Sequence, residues 1–211
     1  VDKTRRIGAA GEDRSSAVLR HYLERCASLA VQEIMAVGTS ALRDADNSRE
    51  VLARWRQGLG LNVRVISGEE EAAYSYLAAR RGLLLAGREL LVIDIGGGST
   101  EFIHGDGEGM SEAMSVDVGS VRLTERYLHS DPVTQAQLDA MAAVIDGALA
   151  PVGARWVPAL SQLTLVGIAG TFTTLAAVEK KLAQYSHGEV HGSLLSLGEV
   201  GRVRRRLLLA L

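Results

Sequence analysis

Residues 89–105, "ELLVIDIGGGSTEFIHG", set two apolar, strand-like runs on either side of three consecutive glycines. Runs joined by so short a linker double back as an antiparallel hairpin, which commits this part of the chain to a sheet. A hairpin turn needs one glycine at positive φ rather than three, and every glycine loses backbone entropy on folding. A row of bare main-chain N–H groups is an anion site, with phosphate its usual occupant. Gly96, Gly97, Gly98, Ser99 and Thr100 are therefore candidate donors to one phosphate. Asp94 and Glu101 flank them, and unaided carboxylates repel phosphate. Mg²⁺, or another divalent cation, reconciles the two, because it is held through one or two carboxylates, water and substrate phosphate. Asp94 and Glu101 are its candidate ligands. The plain alternative is a tight hairpin ending in two exposed acids.

Strand-like and helix-like segments alternate through the rest of the chain, an α/β pattern. A helix over 15–30 places Val18, Leu19, Tyr22, Leu23 and Cys26 on one face. A strand in "EIMAVGTS", a helix capped by Asn47 or Ser48, a strand in "NVRVISG" and a helix from Ser67 to Gly82 follow. Gly87 in "LLLAGRE" marks an expected hinge, dividing the chain into domains 1–86 and 87–211. Past the glycine hairpin come a third strand in "GMSEAMSVDVG" and the helix "SVRLTERYL". A longer helix follows, with Asp131 as cap and Pro132 at its first position. The strand "LTLVGIAG" runs into the helix "TFTTLAAVEKKLA", and a basic amphipathic helix closes the chain.

Composition removes several function classes. The net charge of −2 over 211 residues gives no basic field for nucleic acid. One cysteine and five histidines exclude a disulfide framework and a Cys-rich zinc site, and Cys26 reads as a small buried hydrophobe. No apolar run is read as approaching the ~18 residues of a membrane span, and no signal-peptide core follows the start. The expectation is a cytoplasmic protein without a membrane partner.

Four further stretches carry candidate chemistry. In "LVGIAGTFTTL", Gly167 and Gly170 precede a helix whose first turn holds Thr171, Thr173 and Thr174. A strand–glycine–helix N-terminus presents N–H groups and the positive end of the helix dipole, so Gly170 and Thr171 form a second candidate phosphate wall. In "ISGEEEAAY", Ser67 and Glu70 form a capping box and Glu69 favours the dipole. Glu71 is needed for neither task and is a candidate general base for water. Arg43 in "GTSALRDADN" is either a bidentate phosphate ligand or a surface arginine. His187 and His191 sit in a glycine-broken loop and read as hydrogen-bonding histidines rather than a metal pair, while "GRVRRRLL" reads as a solvated helix face or the holder of a polyanion.

Taken together, "GTSALRDADN", "ISGEEEAAY", "LLVIDIGGGSTEF", "VDVGSVRLTERYL", "GIAGTFTTLAAVE" and "VHGSLLSLGEV" resemble, in this order, the exopolyphosphatase/guanosine pentaphosphate phosphohydrolase family. The glycine hairpin alone recurs across the wider actin, sugar-kinase and chaperone superfamily. "SGEEEA" one helix ahead of "DIGGGSTE" is the discriminating pair. The resemblance implies two ribonuclease-H-like, actin-like α/β domains with the active site in an interdomain cleft. It implies Mg²⁺-dependent hydrolysis of a terminal phosphoanhydride of inorganic polyphosphate or of the 5′ end of pppGpp. It assigns Glu71 as catalytic base and Asp94 and Glu101 to the metal and attacking water. It gives phosphate contacts to Gly97, Gly98 and Ser99, to Gly170 with Thr171, and to Arg43. Homodimers are common among relatives. Two features depart from the pattern. A first phosphate loop of the type D-[IL]-G-[ST]-N-[ST] is missing, so the first domain is expected to be N-terminally truncated. Ala169 stands where glycine is common. The rival readings are an actin-like ATPase or sugar kinase, and a non-catalytic (p)ppGpp or polyphosphate sensor.

Overall fold

The computed structural model describes residues 5–208. The chain packs as two compact units, Val1–Glu71 and Ala72–Leu211. In the first, α1 (Ala9–Ser28) precedes β1 (Ala36–Gly38), a single helical turn α2 (Ser40–Arg43), α3 (Ser48–Leu59) and β2 (Val63–Val65). The helix α4 (Gly68–Gly82) begins in this unit. β1 and β2 pair in parallel, with Gly38 opposite Val65. Their carboxyl ends therefore lie together, and α2 and α4 start from that same end. Val51 and Trp55 of α3 are buried, and the Trp55 indole donates to Ser16 Oγ at 2.9 Å. Asn47 is also buried and occupies the N-cap position of α3, but its side chain makes no capping bond. Its side chain instead pairs with the Ile7 backbone, accepting at 2.8 Å and donating at 2.9 Å. The helical face expected on α1 packs lightly: α1 has no buried residue, and Cys26 is half-buried rather than buried.

The second unit is built on a four-stranded sheet of order β5-β4-β3-β6. β3 (Leu90–Ile95) and β4 (Thr100–Gly105) form the expected hairpin, β5 (Met110–Val116) extends it, and β6 (Thr164–Ile168) lies parallel to β3. Around the sheet run α5 (Ser120–Tyr127), α6 (Gln135–Trp156) with a 3₁₀ extension to Gln162, α7 (Ala169–Glu179), α8 (His187–Val190) and α9 (Leu197–Leu208). The units divide inside α4, ahead of the hinge expected at Gly87. Ala72, Tyr76 and Ala79 of α4 are buried with Leu90, Val92 and Ile103, so most of this helix belongs to the second core.

Two expectations for α6 are corrected. Its cap is Thr134, in a capping box with Gln137, not Asp131 with Pro132. Gln135–Gln162 is also long and apolar enough to cross a membrane by length and composition, because only Asp139 and Asp146 interrupt it before Arg155. Only Val152 and Trp156, near its end, are buried, against Leu91 and Phe102, and the rest of α6 is half-buried or exposed.

Candidate active site

In the first unit the parallel β1–β2 pair brings two sequence-distant segments together. Arg43, at the end of α2, donates through Nη1 to the Ile66 carbonyl at 3.0 Å and to Glu71 Oε2 at 3.3 Å. The sequence-predicted phosphate ligand and the sequence-predicted base are thus one ion pair, about one third exposed on each side. The other two acids of "GEEEA" are accounted for as expected. Ser67 and Glu70 form a reciprocal capping box, the Glu70 N–H donating to Ser67 Oγ at 3.0 Å and the Ser67 N–H to Glu70 Oε2 at 3.3 Å. The Arg64 guanidinium, then the Ser67 N–H, hold the Glu70 carboxyl below the usual range. Glu69 points into solvent. Glu71 is the acid of the three that pairs with Arg43.

In the second unit β3 and β6 end side by side, so the hairpin turn after Ile95 and the β6–α7 junction share one end of the sheet. Such carboxyl ends are where α/β sheets bind ligands. Thr171 Oγ1 reaches the Ile95 carbonyl at 3.4 Å and joins the two loops. Asp94 and Glu101 face each other across the hairpin register, on one side of the sheet. Two adjacent carboxylates beside open N–H groups fit a hard divalent cation.

The turn itself is built in a way the sequence did not disclose. The Ser120 N–H donates to the Gly96 carbonyl at 3.0 Å, the Arg122 N–H to Gly97 at 2.9 Å, and Arg122 Nε to Gly98 at 2.6 Å. All three glycine carbonyls are thereby turned toward α5. The N–H groups of Gly97, Gly98 and Ser99 donate to no protein acceptor among the described residues. Two members of the predicted donor set drop out. The Gly96 N–H closes the turn on the Ser99 carbonyl at 3.0 Å. Thr100 is buried in β4 with its hydroxyl committed to the Val118 carbonyl at 2.5 Å. The Ser99 hydroxyl is committed too, donating to Glu101 Oε1 at 2.5 Å, so Ser99 retains only its N–H.

The glycines are also not there for the reason their number suggests. None of Gly96, Gly97 and Gly98 sits at positive φ. A Cβ on Gly98 would meet nothing nearer than the flexible end of Arg122 at 3.5 Å, an ordinary contact. Gly170 is the same case, at negative φ with open space beside it. Nothing among the described residues requires these two positions to be bare. Gly167 is different: a Cβ there would sit 2.2 Å from the Phe172 ring, so packing alone explains it. α7 starts at Ala169, one residue before Gly170, and has no side-chain cap, which leaves the N–H groups of its first turn open. Ala169 carries φ of 66°, the left-handed region where glycine is at ease.

The sequence model of the Ppx/GppA phosphatase family matches residues 1–197. The chain belongs to the Ppx/GppA phosphatase family. It is 35% identical over 213 residues to exopolyphosphatase 2 of Mycobacterium tuberculosis, a match spanning 99% of this chain and 66% of that protein. It is 36% identical over 157 residues to the guanosine-5′-triphosphate,3′-diphosphate pyrophosphatase of Aliivibrio fischeri, spanning 74% and 31%. Its fold superposes on the crystal structure of the Aquifex aeolicus Ppx/GppA family member with a TM-score of 0.78 at 33% identity, over 99% of this chain and 66% of that one. The chain thus spans about two thirds of the Mycobacterium and Aquifex relatives and under one third of the Aliivibrio one, and its α/β fold is that of the family.

Sequence reasoning missed Ser115, Gly119 and Arg122. All three lie in or beside "VDVGSVRLTERYL", a stretch that marked the family but showed no chemistry of its own. Their role depends on strand register and on where α5 begins.

Proposed function

We propose that this Ppx/GppA family protein hydrolyses a terminal phosphoanhydride with Mg²⁺, releasing phosphate from inorganic polyphosphate or from the 5′ end of pppGpp. One observation carries the reading: a turn whose carbonyls are all drawn to one side, with three N–H groups left for an outside acceptor, beside facing carboxylates. Two relatives, an exopolyphosphatase and a guanosine-5′-triphosphate,3′-diphosphate pyrophosphatase, support this reading.

In this mechanism the N–H groups of Gly97, Gly98 and Ser99, with those of Gly170 and Thr171, bind the terminal phosphate. Arg43 adds a charged donor and orients Glu71. Glu71 removes a proton from water as its oxygen bonds to the terminal phosphorus. The bridging P–O bond breaks, and its electron pair leaves with the shortened chain. Asp94 and Glu101 hold the cation, which when bound supplies neutralising charge at the phosphate oxygens. Catalysis of this kind is positioning plus charge stabilisation. The test is phosphate release from long polyphosphate and from pppGpp in parallel, with Mg²⁺ and with EDTA. Mg²⁺-dependent release from at least one substrate is expected. Release from neither refutes the proposal.

A further inference from the structure

Glu101 is held unlike the other well-paired glutamates of this protein. Glu12, Glu70, Glu112, Glu179 and Glu199 each pair with an arginine. Glu101 makes no ion pair among the described residues. Its partners are two neutral hydroxyls, and both reach the same oxygen: Ser99 Oγ donates to Oε1 at 2.5 Å and Ser115 Oγ to Oε1 at 3.0 Å. A carboxylate oxygen has two lone-pair directions, so Oε1 is filled and Oε2 carries none of these bonds.

The placement follows from the sheet. Asp94, Glu101 and Ser115 are direct cross-strand neighbours on β3, β4 and β5, so the three side chains form a row on one face. Ser99 reaches Glu101 from the turn, where its own carbonyl also accepts from the Gly96 N–H. The carboxylate is therefore tied at once to the phosphate loop and to the neighbouring strand. Hydroxyl donors fix its rotation yet leave its full negative charge, which an arginine would neutralise.

We propose that Ser115 is a positioning residue that, together with Ser99, fills Glu101 Oε1 and so presents Oε2 to a divalent cation. This rests on the reading of Glu101 as a metal ligand. Groups that orient a ligating carboxylate are worth about 10–100-fold in metal affinity when removed.

The test measures metal binding without turnover, by titrating the protein with Mn²⁺ alone and following the electron paramagnetic resonance signal of free Mn²⁺, with Mg²⁺ as competitor. Ser115→Ala should raise the Mn²⁺ dissociation constant by about tenfold. Ser115→Thr, which keeps the hydroxyl and suits a strand, should return it to within about threefold of the parent. At saturating metal, the KM for polyphosphate in Ser115→Ala should match the parent, because its hydroxyl meets the carboxylate and not the phosphate. Thermal unfolding of each variant checks the fold. Glu101→Gln separates the two levels. If Glu101→Gln loses Mn²⁺ binding while Ser115→Ala binds like the parent, the Ser115 assignment alone is overturned. If Glu101→Gln binds Mn²⁺ as tightly as the parent, the metal-ligand reading falls and takes the Ser115 assignment with it.

Discussion

Gly119→Ala is the sharpest probe of how the glycine turn is held. Gly119 caps α5 with φ of −141°, extended backbone that any residue adopts, so the substitution carries no conformational strain of its own. Space decides the outcome. A Cβ there would lie 2.5 Å from Gly97 C, Gly97 O and Gly98 C, all of them backbone atoms. Reaching ordinary contact requires the turn and α5 to separate by roughly 1 Å. That movement strains the three bonds from Ser120 N, Arg122 N and Arg122 Nε to the glycine carbonyls, now 3.0, 2.9 and 2.6 Å long. At about 0.5–1.5 kcal/mol each, their loss amounts to roughly 2–4 kcal/mol. The lower unfolded-state entropy of alanine offsets about 0.4–1 kcal/mol of it. The net destabilisation of about 1–3 kcal/mol should lower Tm by about 3–10 °C. With its carbonyls released, the turn no longer aims its N–H groups, so the KM for polyphosphate should rise alongside. Circular dichroism unfolding and initial-rate phosphate release read the two effects. An unchanged Tm together with an unchanged KM would refute the account of α5 as the clamp on the loop.

The companion substitution Gly98→Ala should separate binding from folding. Its Cβ has room, so stability should stay within about 0.5 kcal/mol while the KM for polyphosphate rises by about tenfold, read by the same two assays. Glu71→Gln should leave Tm nearly unchanged and slow phosphate release by about 10²–10⁴, the usual effect of losing a general base; a variant with full turnover removes Glu71 from that role. The Glu112–Arg155 pair, 2.6 Å at its shortest, ties β5 to α6, and the Arg155 hydrogen bond holds the Glu112 carboxyl below the usual range. Its contribution is thus complete above the ordinary glutamate range and is lost as pH falls through the lowered folded-state value. Urea midpoints of the parent and Glu112→Gln should differ at neutral pH and converge in acid, whereas a constant gap would contradict the linkage.

Much of the architecture was legible because period and punctuation are local. The hairpin followed from two apolar runs around "GGG", the α4 capping box from Ser67 and Glu70, and the α/β alternation from segment lengths. The α6 start was misjudged because two cap signals compete within four residues, and Thr134 with Gln137 offers the reciprocal pair that Asp131 does not. Asn47 looked like a cap because its side chain can serve as one, and a backbone segment 40 residues away took it instead. The compact units meet inside α4 rather than at Gly87 for a similar reason: Gly87 is a local turn signal, while the face that α4 buries depends on a sheet that follows it.

The amino-acid order alone determined the chemical inventory of this protein: a bare turn flanked by two acids, a spare glutamate, an arginine, and the combination of motifs that marks the family. Only tertiary structure decided which of those groups have a hand left to offer. The turn keeps three N–H groups and loses Gly96 and Thr100, because one closes the turn and the other is buried against Val118. Ser115 gains a task because register sets it opposite Glu101, and Arg43 meets Glu71 because parallel pairing puts two strand ends together. Hydrogen-bonding capacity belongs to a residue, but whether it is already spent depends on neighbours that are distant in the chain.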